Sequence, residues 1–339
     1  MNWSKVQIRN DRGDIVEAMS PIIISASRST DIPAFYSDWL RSRIEAGYVM
    51  WKNPFNGICS YVAFKNSRLF VFWTKNPKPM LNHLDYLDER IKNYYFHFTL
   101  NDYDKENLEP NVPKVNNRIE TFIELSNRIG KSKVIWRFDP LILTDKIKVD
   151  DLLKKVEGIG DRISSYTDKL VFSFADIKVY NKVQNNLRKN SINYFEFNLS
   201  LMNEFAQGLK QLNQKWNLEI STCAERIDLN KYGIKHNKCI DDELIIKLFH
   251  HDEILMDYLG VRIIPADMFN PNSTIIKGRD LKDKGQREFC GCIMSKDIGE
   301  YNTCPHLCEY CYANTSKDIA LANWKHHKEN PNDEMIKGN

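Results

Sequence analysis

Six short runs of β-branched and aromatic residues recur along this 339-residue chain, and each is followed at once by polar or charged residues. They are IIISASRSTD from residue 22, LFVFWTKN from 69, YYFHFTLND from 94, KVIWRFDP from 133, KLVFSFAD from 169 and LEISTCAE from 218. A strand that is apolar on both faces must be covered on both, which is the situation of a parallel sheet. Between most of the runs lie stretches with helical spacing, among them PAFYSDWLRSRIEAG, NNRIETFIELSNRIG and NEFAQGLKQLNQKW. The first two close on glycine, which readily takes the left-handed conformation at a helix C-terminus. This alternation predicts an α/β chain whose strands form a TIM-barrel-like (β/α)6 partial barrel over residues 1–228. CSYVAF, from residue 59, is expected to interrupt the alternation by pairing with RLFVFW across the turn KNS.

A parallel barrel gathers the C-terminal ends of its strands at one mouth, where such folds do their chemistry. The run ends nominate Arg28 and Asp31, Thr74 and Lys75, Thr99 and Asn101, Arg137 and Asp139, Ser173 and Asp176, and Cys223 and Glu225. WRFD is the most telling, because Arg137 and Asp139 alternate with aromatics in a run that is otherwise apolar. A buried Arg and Asp need each other or a charged ligand to offset their desolvation. Beyond Asp228 the strand pattern weakens, so residues 229–316 read as a Cys-rich segment packing on the mouth. Residues 317–339 read as a short helix and a mobile polar tail. GIGDR and KGRD read as isolated turns without the glycine pattern of a phosphate cradle.

The start, MNWSKVQIRNDRGDIVEAMS, lacks the apolar core of a signal peptide. No stretch approaches the roughly 20 apolar residues of a membrane span, so a cytoplasmic location and no membrane partner are expected. In that reducing compartment clustered cysteines bind metal or do chemistry more readily than they form structural disulfides. Eight cysteines are present, at 59, 223, 239, 290, 292, 304, 308 and 311. TCPHLCEYCYAN sets Cys304, Cys308 and Cys311 in a C-x3-C-x2-C spacing, which lets three thiolates from one loop face one inorganic centre. Three thiolates leave one position of a cubane iron-sulfur cluster without a protein ligand. Zinc is the rival occupant and needs a fourth donor, for which His306 is the nearest candidate. Cys223, Cys239, Cys290 and Cys292 would saturate a second cluster or a zinc ion. Cys59 reads as an ordinary buried small residue, and the HH pairs at 250 and 326 as surface.

CPHLCEYC, with Tyr310 at the aromatic position, resembles the cluster motif of the radical S-adenosylmethionine (radical SAM) enzymes. The resemblance implies a partial barrel of that type and a 4Fe-4S cluster on Cys304, Cys308 and Cys311. It also implies S-adenosylmethionine chelated at the open iron, and its reductive cleavage to a 5'-deoxyadenosyl radical. In most of that superfamily the motif follows the first strand, whereas here it follows the last predicted one. SRSTDIPAFY, VFWTKNP, WRFDP, TCAE and CGCIMSKDIGEYNTCPHLCEYCYAN resemble, over nearly the whole chain, an uncharacterised bacterial family, domain of unknown function 1848. On this reading Arg28, Lys75, Asp176 and Tyr310 are cofactor contacts, and Arg137, Asp139, Asp31 and Glu225 act on substrate. An external one-electron reductant, such as flavodoxin or ferredoxin, is implied. The substrate is open among small molecules, peptides and nucleic acids; WTKNPKP and NWKHHK suggest base stacking and phosphate contact, similar to the spore photoproduct lyase branch. A non-catalytic zinc-stabilised binding protein and a redox sensor or electron carrier are the other readings.

Overall fold

The computed structural model describes residues 3–264 and 274–338, so part of the predicted Cys-rich segment, 265–273, lies outside the described residues. All six apolar runs are strands of one sheet: β1 (Ile23–Ala26), β2 (Leu69–Thr74), β3 (Asn93–Thr99), β4 (Val134–Leu141), β5 (Lys169–Phe174) and β6 (Glu219–Thr222). Two short strands complete it, β7 (Ile234–His236) and β8 (Lys296–Asp297). The order is β8-β1-β2-β3-β4-β5-β6-β7, and every pairing is parallel. The chain thus lays down seven neighbours in sequence, and β8 returns beside β1.

Alternation along the strands divides the apolar residues between two layers. Ile24, Phe70, Phe72, Phe96, Trp136, Phe138 and Phe172 share one core with helices α2 (Val115–Ile129), α3 (Val149–Ile163) and α4 (Leu199–Trp216). Ile23, Leu69, Val71, Tyr95, Ile135 and Val171 form the other core with α5 (Asp242–Phe249) and α6 (Glu253–Leu259). Asp241 and Asp252 cap the last two helices by accepting backbone N–H bonds, as Asp at an N-cap does. α1 (Ser37–Ala46) ends at Gly47, whose φ of 84° is the left-handed value expected of a closing glycine. Gly158 and Gly160, read from GIGDR as a turn, are inside α3 instead. A Cβ at Gly160 would come 2.4 Å from the Trp216 ring, so the glycine admits the close approach of α4.

The expected hairpin at 59 does not form. Cys59–Ala63 pairs antiparallel with Tyr48–Lys52 and parallel with Ile15–Met19 in a separate four-stranded sheet. The reason is burial: Cys59–Ala63 is only partly buried and suits an outer sheet, while β2 is buried along nearly its whole length and takes parallel neighbours on both sides. Cys59 itself is exposed rather than buried. The predicted boundary at 228 also moves, because β7 and β8 come from the Cys-rich segment and extend the main sheet at both edges. Nor is the tail loose: after α7 (Lys317–Glu329), Met335 and Ile336 are 3% and 1% exposed, and Met50 N–H donates to the Glu334 carbonyl at 2.9 Å. His327 is buried against Trp324 and Tyr36, unlike the expected surface pair. No helix of the described residues is long and apolar enough to cross a membrane.

Candidate functional site

The C-terminal ends of β1 to β4 carry a continuous buried polar network. Asn101, just past β3 and fully buried, joins its two halves. On one side its Nδ2 donates to Glu109 Oε1 at 3.0 Å and to the Tyr310 hydroxyl at 3.1 Å. On the other it accepts from Asp139 N–H at 2.9 Å and donates to the Asp139 carbonyl at 3.2 Å. Lys75, just past β2, donates to Glu109 at 2.7 Å and to Tyr310 at 2.9 Å, and Tyr310 donates to Glu109 in turn. Burial works against a charge on Glu109, but Lys75 and Arg118 outweigh it and pull the carboxyl down to about 2.

The triad loop lies on this half. It turns at Leu307, which takes a left-handed φ of 56°. Tyr36 donates to the Thr303 carbonyl at 2.5 Å, Asn314 to the Cys304 carbonyl at 2.8 Å, and Asn111 to the Pro305 carbonyl at 3.0 Å. The Cys304, Cys308 and Cys311 thiols are free and close enough to act electrostatically on one another. Burial pushes all three thiols up, and the Lys75 ammonium opposes this at Cys308 and Cys311. His306 is committed elsewhere: its Nε2 bonds Asp31 at 2.8 Å and its Nδ1 faces the Asn111 carbonyl at 3.4 Å. Asp31 also caps the turn at Ala34 and accepts the Lys75 backbone N–H at 2.6 Å.

The other half centres on Arg137 and Asp139, the pair expected from WRFD. Arg137 Nη2 meets Asp139 Oδ2 at 2.5 Å, and Ser173 donates to the other carboxylate oxygen. Burial opposes the Asp139 charge, but Arg137 and Ser173 hold its carboxyl below the usual range. Arg137 Nη1 also reaches Cys239 Sγ at 3.0 Å. Cys223, at the end of β6, lies 3.6 Å from Cys239 sulfur to sulfur, and Cys292 and Cys290 adjoin them. Arg28 extends from β1 over the Trp73 ring toward this group. Glu225 accepts the Phe174 N–H at 3.0 Å, and burial pushes its carboxyl up to about 7. Asp176 is the exception among the nominated residues: it is exposed, and it acts on Glu196 rather than on the network.

Several residues here were not singled out from the sequence. Glu109 sits in an irregular loop whose composition gives no periodic signal. Asp297 holds β8 to the end of β1, accepting from Ser25 Oγ at 2.7 Å and Arg28 N–H at 2.9 Å. Arg287 faces Cys223, Asp139 and Glu225 from the Cys-rich segment, and their charges hold its guanidinium up against burial. Among the described residues no three donors converge on a single point that would hold a metal ion. Two surface cavities of about 210 and 430 Å³, beside Lys131 and Asp168 and beside Met50 and Cys59, are lined by no cysteine of either group.

Fold and site together define an α/β protein with a large parallel sheet and a cysteine-bearing polar network at its strand ends. The chain belongs to the family described as domain of unknown function (DUF1848), whose model matches residues 23–313. No curated protein matches it. Among solved structures it shows a distant likeness to a crystal structure from Bacteroides thetaiotaomicron provisionally assigned as an alpha-L-fucosidase. That likeness has 11% identity and a TM-score of 0.21, and covers 57% of this chain and 82% of the other, which is too weak to carry an argument.

Proposed function

We propose that this protein is a radical S-adenosylmethionine enzyme, with Cys304, Cys308 and Cys311 as the ligands of a 4Fe-4S cluster. The observation that carries the reading is the place of the triad in the sheet. Late as it is in sequence, it follows β8, the edge strand beside β1, so in space the motif comes after the leading strand. That is the position it has in the superfamily it resembles. The donor set supports the same reading, because both nitrogens of His306 are engaged and neither is free to complete a zinc tetrahedron.

When bound, the cluster and S-adenosylmethionine would supply a 5'-deoxyadenosyl radical, generated with an electron from a flavodoxin- or ferredoxin-like donor. The chain's own residues do the rest. The three thiolates would hold the cluster, and Lys75 offsets negative charge at Cys308 and Cys311. Asp31 fixes His306 and with it the loop, so it is a positioning residue. Tyr310 ties the motif to Glu109 and Asn101. Arg28, Arg137, Asp139 and Glu225 line the substrate side, where the buried Arg137–Asp139 pair offers a fixed charge pattern for orientation. Of the features that suggested nucleic acid, Trp73 stacks on His97, Trp324 packs on Phe35 and Tyr36, and Lys75 pairs with Glu109, whereas Lys78, Lys325, His326 and Lys328 are exposed.

Protein prepared without oxygen tests the assignment. The expected result is about four irons with matching labile sulfide at the triad, lost in Cys304→Ala, Cys308→Ala and Cys311→Ala. S-adenosylmethionine should shift the electron paramagnetic resonance spectrum of the reduced protein. A triad variant with unchanged iron and an unchanged spectrum would refute it.

A further inference from the structure

We propose that Cys223, Cys239, Cys290 and Cys292 form a second metal centre, four thiolates around a thiophilic cation, zinc or iron, set between the two edges of the main sheet. The four come from three separate stretches: the end of β6, the loop after β7 and the turn before β8. Backbone bonds tie these stretches together, with Ile293 N–H donating to the Ile240 carbonyl at 3.1 Å. The sulfurs run as a string of neighbours, Cys223 to Cys239 to Cys292 to Cys290. The Cys223–Cys239 separation of 3.6 Å is close to the edge of a tetrahedron with metal–sulfur bonds of about 2.3 Å, roughly 3.8 Å.

Two of the four sulfurs receive hydrogen-bond donors. Cys292 Sγ receives the N–H groups of Cys239 at 3.1 Å and Ile240 at 3.4 Å. Cys239 Sγ receives Arg137 Nη1 at 3.0 Å and Asn237 Nδ2 at 3.4 Å. A neutral thiol is a weak acceptor, whereas a thiolate rewards such donors. Arg28 stands beside Cys290 and Cys292, and its Nη2 is buried with no hydrogen-bond partner. Four thiolates around a dication leave a net charge of about −2, which Arg28 and Arg137 offset in part, Arg137 being shared with Asp139. Simple packing explains none of this, because buried small apolar side chains would need neither the donors nor the cations. Binding exchanges S–H bonds for metal–sulfur bonds and releases one proton per thiol, with no oxidant required.

The proposal is independent of the triad, and full-length variants separate the two. Metals and labile sulfide are measured per chain in anaerobic wild type, in Cys239→Ser/Cys292→Ser, and in Cys304→Ala/Cys308→Ala/Cys311→Ala. The triple variant is expected to keep one centre's metal, and the double variant to lose that same metal while keeping the triad's. Zinc without sulfide in the triple variant identifies a single ion, and iron with sulfide a cluster. A folded triple variant without stoichiometric metal would overturn the proposal even if the double variant fails to fold. So would a double variant with wild-type metal content, or a native disulfide among the four cysteines found by mass spectrometry.

Discussion

Glu109 has almost no solvent and four partners, Lys75, Arg118, Tyr310 and Asn101, so its carboxylate is the pivot on which the triad side of the site rests. Removing one member of a buried ion pair leaves the other uncompensated, at a cost of about 3–5 kcal/mol. Glu109→Ala is therefore expected to lower unfolding free energy by that amount in denaturant titration. Gly299 is a second sensitive point, because a Cβ there would lie 1.8 Å from Ser27 Oγ where the turn after β8 meets the end of β1. Gly299→Ala should cost about 1–3 kcal/mol and weaken metal retention by the triad. At this scale sequence reading succeeded where polarity interrupted a pattern: Arg137 and Asp139 stand out among aromatics, and they do pair in the interior. It missed Glu109 because a loop has no period to interrupt, and it overrated Asp176 because a polar residue after a strand is as often solvated as inward.

α6 shows how an element is held by the residue that caps it. Asp252 caps it at Leu255 N–H and also binds Arg68 and Asn93 at the start of β2 and β3. Burial opposes its ionisation, but Arg68, the Leu255 amide and Asn93 together keep its carboxyl below the usual range. The folded state then holds fewer protons on this group than the unfolded chain, so its contribution is complete above the ordinary Asp value of about 3.9 and fades as pH falls through the lower folded value. Asp252→Asn should cost about 1–3 kcal/mol at pH 7, with the gap to wild type closing below about pH 4 in melts across a pH series. Gly160→Ala, which pushes a methyl group into the Trp216 ring, should separate α3 from α4 at a similar cost. The six central strands were legible because burial on both faces writes an unbroken apolar run. β8 was not: it is two polar residues, Lys296 and Asp297, paired only with Ile24 and Ser25.

For the molecule as a whole, that short strand changes the plan. The Cys-rich segment is not an appendage, since it supplies both edges of the sheet and carries every cysteine of the two groups except Cys223, which follows β6. The tail packs against the outer sheet and the turn after β8, where Glu334 accepts from the Tyr48 hydroxyl at 2.5 Å, Ile336 N–H donates to Glu300 at 3.1 Å, and Met335 and Ile336 are buried. Deleting residues 334–339 should lower stability by at least about 4 kcal/mol, given about 2–5 kcal/mol for each large apolar side chain lost, read by thermal melting. The central claim is that the triad on the strand after which it folds supports reductive cleavage of S-adenosylmethionine. Its most direct test is 5'-deoxyadenosine released by reduced, oxygen-free protein, quantified by liquid chromatography and mass spectrometry. The account predicts release from wild type and none above background from Cys308→Ala; equal release from both, or none from wild type with a full complement of iron and sulfide, would contradict it.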